Sequence, residues 1–319
     1  MIDQAFLTAD LRKLLDREIL PALRKRAQGI DTIDAALRAE HANAKQAGRT
    51  GFAYEVWRDD FLTQVGVAWV LGCVYIRFME DNGLVDSKEH FPRISGPGAM
   101  LKQAQDQHAA YFKNFPAHSD RDYLLAAFED ASKLRGCGEL FSKAHNPLWA
   151  HGGQLMDADA ASALIRFFQT RQGGGGGSNG ALTYDFTDAS LSTRFLGDLY
   201  QNLSEAARKK YALLQTPIFV EEFILDRTLE PAIKEFGLCD QKGRDLSAQK
   251  RPIPSDHLLR MIDPTVGSGH FLLGGFERLF AHWQKQEPMT EPAVLAERCL
   301  NSLFGVDLNP YAANIARFR

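Results

Sequence analysis

The 319-residue chain has no excess of basic charge: 37 Lys and Arg stand against 40 Asp and Glu, a formal net charge of −3. Gripping nucleic acid by bulk electrostatics is thereby excluded, and any DNA contact has to come from a local basic patch or from parts outside this sequence. Cysteine is sparse. Cys73, Cys137, Cys239 and Cys299 are far apart and form no CxxC pair, which argues against a disulfide framework or a zinc cluster. No metal-ligand set is read, and a reducing cytoplasm is the expected location. No GK[ST] occurs, so a phosphate-binding P-loop is absent. Long hydrophobic runs are missing too. The most apolar stretch, VGVAWVLGCVYI at 65–76, is too short to span a bilayer and is closely flanked by Arg58, Asp59, Asp60, Arg77, Glu80 and Asp81. It predicts a buried core helix, with no membrane partner. The charged, amphipathic N-terminus does not read as a signal peptide.

What is present is mostly helical pattern over the first 170 residues. Leu11, Leu14, Leu15, Ile19 and Leu23 recur at helical spacing over 10–28, with Thr8 or Asp10 as cap and Pro21 kinking or dividing the helix. Residues 31–47, 54–82, 99–113 and 120–134 also predict helices, the third of these stopping at Asn82-Gly83. Asn146-Pro147-Leu148-Trp149 reads as a turn. RQGGGGGSNG at 171–180 predicts a flexible tether, because consecutive glycines cost ordering entropy and give nothing to pack. It is either a natural insertion or an engineered linker. The organisation expected is therefore a helical domain over 1–170, a Gly-rich linker over 171–180 and a second domain over 181–319. In the last, helices are read near 195–210 and over 218–236, with Thr216 capping and Pro217 in the first turn.

The second domain carries the informative stretch, MIDPTVGSGHFLLGGFERLF at 261–280. An apolar run ends in Asp263-Pro264, as a buried parallel strand would. Gly267 and Gly269 then permit φ > 0 and close approach of a ligand to the main chain before an apolar helix begins. Exposed amides at that helix start favour an anionic group. A second strand over 303–306 ends at Asp307, placed to accept hydrogen bonds from a ribose. Strand, glycine turn, helix, strand and acid make a nucleoside-binding half of a doubly wound sheet. Asp307 lies 38 residues past Gly269, whereas the dinucleotide fingerprint puts its acid about 20 past the glycines. A ribose bearing a zwitterionic amino-acid tail, as in S-adenosylmethionine, fits better than a dinucleotide. A tight strand–helix turn alone would also explain the glycines, capping alone Thr216 or Asp307, and a structural role His270.

DPTVGSGHFL resembles motif I, FGVDLNPYAANIAR motif II and LLQTPIFVEEFIL motif X of the gamma-type amino-methyltransferases that modify adenine N6 in DNA. Within them, RFLGDLYQNLSEAARKKYALLQTPIFVEEFILDRTLEPAI resembles the PglX type of BREX phage-defence systems, and more distantly the Eco57I-like restriction-modification enzymes. The close resemblance covers about 181–319. It implies a mostly α N-terminal domain followed by the start of a Rossmann-like α/β methyltransferase domain with an incomplete sheet. It implies S-adenosylmethionine as cofactor, double-stranded DNA as substrate, and other defence proteins as partners. Asp263, Pro264, Gly267 and Gly269 would shape the methionine pocket, with Phe271 beside the cofactor. Asp307 and Leu308 would meet the nucleoside, and Thr216 and Pro217 would close the methionine end. The family's Asn/Asp-Pro-Pro-Tyr/Phe loop has no counterpart, since no Pro-Pro pair occurs in the sequence, so no catalytic residue is assigned. The expectation is a piece of a longer enzyme, inactive alone; the alternative is a non-catalytic interaction module of a defence complex.

Overall fold

The computed structural model describes residues 3–85, 93–171, 181–203 and 216–319. The chain divides into two compact units, Met1–Leu213 and Leu214–Arg319.

The first unit is helical. α1 (Gln4–Leu14) and α2 (Leu20–Gly29) are joined by a π-helical turn, Leu15–Ile19, immediately before Pro21. A proline lacks the N–H that an uninterrupted helix would use, and the wider turn absorbs that loss. The helix starts earlier than its apolar spacing indicates, because Asp3 rather than Thr8 or Asp10 accepts the Phe6 N–H at 3.0 Å. α3 (Asp31–Gln46) follows, and then α4 (Tyr54–Asp81), the long helix of this unit. It is long and apolar enough to cross a membrane. Every residue from Val65 to Asp81 is nevertheless buried within the unit. It packs against α2, α3, α6 (Asp120–Ala131), α8 (Arg194–Leu203) and the 3-10 turn Pro147–Gly153. In that turn Asn146 is the cap, accepting from the Leu148 N–H at 2.9 Å. α5 (Met100–Asn114) and α7 (Ala158–Phe168) complete the described helices of this unit.

Three charged side chains are buried at the end of α4. Arg77 and Asp81, both fully buried, pair at 2.8 Å. Arg77 also donates to the carbonyls of Phe168 and Tyr184, at 3.2 and 2.9 Å, and lies over the rings of Phe186 and Phe168. Asp81 accepts from the Phe186 N–H at 3.0 Å, and Asn82 donates to the Phe186 carbonyl at 2.9 Å. Arg171 and Leu182 form an antiparallel bridge, and Thr183 N–H bonds to Thr170 O at 2.8 Å. Residues 181–203 therefore pack in the helical unit, and the boundary falls at 213/214 rather than at the glycine run. The two flanks of that run meet within one unit. Residues 172–180 themselves, and 204–210 of the helix read near 195–210, lie outside the described residues.

Glu80, beside this pair, is 5% exposed. Burial pushes its carboxyl up to about 8, against the pull of the Arg93 N–H and the Arg77 charge. Burial raises Asp81 as well, although Arg77 opposes it. For an acid raised in the folded state, the stabilising contribution is full below the unfolded pKa and is lost as pH rises through the folded one. Unfolding free energy should thus fall between pH 5 and 9, with Glu80 contributing on the order of 3 kcal/mol of that fall. Urea unfolding of Glu80→Gln across this range should give a flatter profile. A profile parallel to that of the parent chain would remove Glu80 as its source.

In the second unit, β1 (Met261–Asp263) and β2 (Leu303–Gly305) pair in parallel, Met261 opposite Leu303 and Asp263 opposite Gly305. Parallel neighbours need a crossover. Here it is made by α11 (His270–Gln286) and α12 (Pro292–Ser302), which pack on each other and on β2. α9 (Ile218–Phe236) lies along α11, α10 is Gln241–Ala248, and α13 is Pro310–Phe318. Leu225, Leu229, Ile233, Leu279, Trp283, Leu295 and Cys299 form the core. The described residues of the unit are thus mostly helical, with a small two-stranded parallel sheet.

Candidate cofactor site

The bend between β1 and α11 is fixed by its own polar groups. The buried Asp263 accepts the Thr265 N–H at 3.0 Å, a local turn that explains an acid at this place without any ligand. Val306 N–H bonds to Asp263 O and Val266 N–H to Val306 O, both at 2.9 Å, carrying the ladder one step beyond the strands and into the bend. Gly267 and Gly269 then take φ of 52° and 94°. Their reasons differ. A Cβ on Gly269 would lie 2.9 Å from the Ala316 Cβ and 3.0 Å from its Cα, so α13 demands a glycine there. A Cβ on Gly267 would meet nothing within 4 Å, so its main chain faces open space. Ser268 and His270 are buried beneath the bend; the Arg319 guanidinium donates to Ser268 O at 2.7 Å. That burial accords with a structural His270.

Asp307 points at the bend. Its Oδ2 accepts the Gly267 N–H at 2.9 Å and its Oδ1 the Asn309 N–H at 2.7 Å. Asn309, not Asp307, caps α13, accepting the Tyr311 N–H at 3.1 Å. The acid is free of capping duty, and each of its oxygens retains lone-pair capacity after one bond. Leu308 beside it is 92% exposed, and Pro264 is exposed. Phe271 turns elsewhere: it packs against the hydrophobic core of the unit.

Thr216 and Pro217 precede α9, half-buried and exposed respectively. They reach the same end of the unit as the bend because of a feature that local sequence reading missed. Arg278 bonds to Asp226 at 2.6 Å and His282 to Glu230 at 2.9 Å, while the buried Glu221 lies against Gly274. The partners advance together along both chains, so α9 and α11 run in the same direction. Both helices therefore begin at one end, where their unpaired amide groups give a partial positive charge. The signal was two acids four apart on one helix and two bases four apart on the other. The arrangement joins a carboxylate acceptor, an open main-chain bend and two helix starts. Chemically that suits a molecule with a hydroxylated ring and a charged tail.

Comparison with known proteins gives the class first: both curated relatives found are named as methyltransferases. Over its whole length the chain is similar to the adenine-specific methyltransferase PglX of Streptomyces coelicolor, at 40% identity, covering 24% of that protein. Over 77% of its length it is 23% identical to a Methanocaldococcus jannaschii protein named as a type II restriction enzyme and methyltransferase, again covering 24% of the relative. The chain thus spans about a quarter of the length of the curated relatives it matches. The PglX resemblance read from the motifs is borne out, and it extends through the helical unit as well as through 181–319. No family model and no solved structure matches the chain.

Proposed function

We propose that residues 214–319 hold S-adenosylmethionine and that the chain is part of an adenine-N6 DNA methyltransferase serving phage defence or restriction-modification. The observation that carries this reading is the Asp307 carboxylate facing the open main chain of Gly267, with spare acceptor capacity for a ribose. Gly267 supplies the space a nucleoside needs, and the shared end of α9 and α11 supplies a place for the methionine carboxylate. When bound, the cofactor supplies an electrophilic methyl group; the residues here bind and orient it. In this reading the sheet is the start of a Rossmann-like one, and Asp263 acts indirectly by shaping the bend. Thr216 and Pro217 close the far side. Phe271 supports α11 from within the core.

Handling the adenine is another matter. A base must leave the stack to be modified, and the Pro-Pro loop that the resemblance calls for is absent from these residues. Base recognition, double-stranded DNA contact and meetings with other defence proteins are therefore assigned to the longer protein, in the cytoplasm.

Titration calorimetry of the chain with S-adenosylmethionine and, separately, with NAD tests the reading. Binding of the first alone is expected. Asp307→Ala should weaken it by about 1–3 kcal/mol, the cost of losing charge-assisted hydrogen bonds. An unchanged affinity in the variant would take Asp307 out of the site, and preference for NAD would overturn the cofactor assignment.

A further inference from the structure

The bend between β1 and α11 is held from below by the far end of α13. Two residues on successive turns reach it. Ala316 lies against Gly269, and Arg319, which caps α13, donates to Ser268 O at 2.7 Å and to Ser268 Oγ at 3.3 Å. Ser268, Gly269 and His270 are buried, whereas Gly267 is half-buried and keeps an open side.

Gly267 cannot fix its own conformation. Glycine takes positive and negative φ about equally readily, and a Cβ there would meet nothing within 4 Å. Its φ of 52° is therefore set by the peptides around it. The Val266–Gly267 peptide is tied at both ends: its oxygen accepts the Gly269 N–H at 2.8 Å, and its N–H donates to Asp307 Oδ2 at 2.9 Å. The Ser268–Gly269 peptide is tied at both ends as well, its N–H by Val266 O and its oxygen by Arg319. Of these bonds, the first closes the bend on itself and the second is the one to the ribose-facing acid. The third comes from the opposite end of α13, and its donor is charged, which makes it of the stronger kind. Without it the Ser268–Gly269 peptide can rotate, and the Gly267 N–H swings away from Asp307 with it.

We propose that Arg319 is a positioning residue of the cofactor site. By anchoring the Ser268 carbonyl it holds the Gly267 N–H on Asp307, and so keeps that carboxylate aimed at the ribose position. The proposal rests on the S-adenosylmethionine reading above. Arg319 acts through the bend and not by touching the ligand. Its contribution is preorganisation: the site stands assembled before the cofactor arrives, so binding does not have to order it.

S-Adenosylmethionine titrated calorimetrically into the whole chain, Arg319→Met and Arg319→Lys provides the test. Methionine keeps an apolar stem and loses every donor, while lysine keeps a charged donor. Arg319→Met should bind about tenfold more weakly, the size of one charge-assisted hydrogen bond. Arg319→Lys should return to within about threefold of the parent. Amide hydrogen exchange followed by NMR without ligand gives a second readout. The Gly267 and Gly269 amides should exchange at least about tenfold faster in Arg319→Met, with those of Leu279 and Trp283 in α11 unchanged. A merely structural loss would speed all of them together, and that result would overturn the proposal. Parent-like affinity in Arg319→Met would overturn it too, as would an equal loss in both variants. A parent chain that does not bind S-adenosylmethionine would bring it down together with the cofactor reading. Binding that is impaired by Asp307→Ala and not by Arg319→Met would leave that reading standing and overturn this proposal alone. Should Arg319→Met fail to fold, Arg319→Gln, with one neutral donor, takes its place under the same criteria, with a loss of about threefold expected.

Discussion

Replacing Arg77 with alanine is expected to cost the helical unit about 3–5 kcal/mol of unfolding free energy. The guanidinium and the Asp81 carboxylate are both fully buried. Removing one partner leaves the other uncompensated in a low-dielectric interior, and that residual charge accounts for most of the loss. The same substitution frees the Phe168 and Tyr184 carbonyls and removes the guanidinium that lies against the Phe168 and Phe186 rings. Residues 181–186 should then detach from α4 first. The loss should deepen as pH rises, because Asp81 without its cation becomes still harder to ionise. Urea unfolding followed by far-UV circular dichroism, with amide exchange at Phe186, measures both effects. A double replacement, Arg77→Met with Asp81→Leu, should restore much of the loss by removing both charges together. A single-variant cost below about 1 kcal/mol would mean that the pair is solvated and not part of the core.

The second large effect is expected at Gly269. Alanine there must hold φ near 94° and push its Cβ against the Cα and Cβ of Ala316. The left-handed backbone costs about 1–2 kcal/mol in itself, and the clash with main chain has no flexible side chain to absorb it. A total of about 2–4 kcal/mol is expected, as overpacking adds to the strain. The bend would also move away from Asp307, so cofactor affinity should fall with stability. Gly267→Ala is the informative control. It shares the positive φ but meets open space, so it should cost only about 1 kcal/mol. Thermal unfolding of the two variants side by side checks the ranking. Equal losses would show that α13 does not sit against Gly269.

The features that could be read in advance are those with a local cause. A twelve-residue apolar run flanked by charge predicts a buried helix, and α4 is buried from Val65 to Asp81. Proline after a helical start, asparagine before Pro147, and glycine between strand and helix each fix the backbone by their own geometry. Asp307 was placed by its position after a short apolar run. Other features depend on groups distant in sequence. Nothing near Tyr184 announces that its carbonyl belongs to Arg77, 107 residues earlier. The glycine run looked like a domain boundary because its composition is extreme, whereas the boundary follows hydrogen bonds between its flanks and α4. Phe271 has the spacing of a residue at the helix start, and only three-dimensional packing shows that it faces inward. Asp263 has the chemistry of a ligand-binding acid, yet its carboxylate is turned onto the next residue but one.

The paired acids and bases between α9 and α11 also act as a vernier. Asp226 and Glu230 are one turn apart, as are Arg278 and His282, so the two helices mesh like short racks with matching teeth. A slip of one turn, about 5.4 Å, leaves a single tooth engaged and drives Glu221 away from its seat at Gly274. The gap between the start of one helix and the bend before the other is thereby held to a single notch, set far from the bend itself.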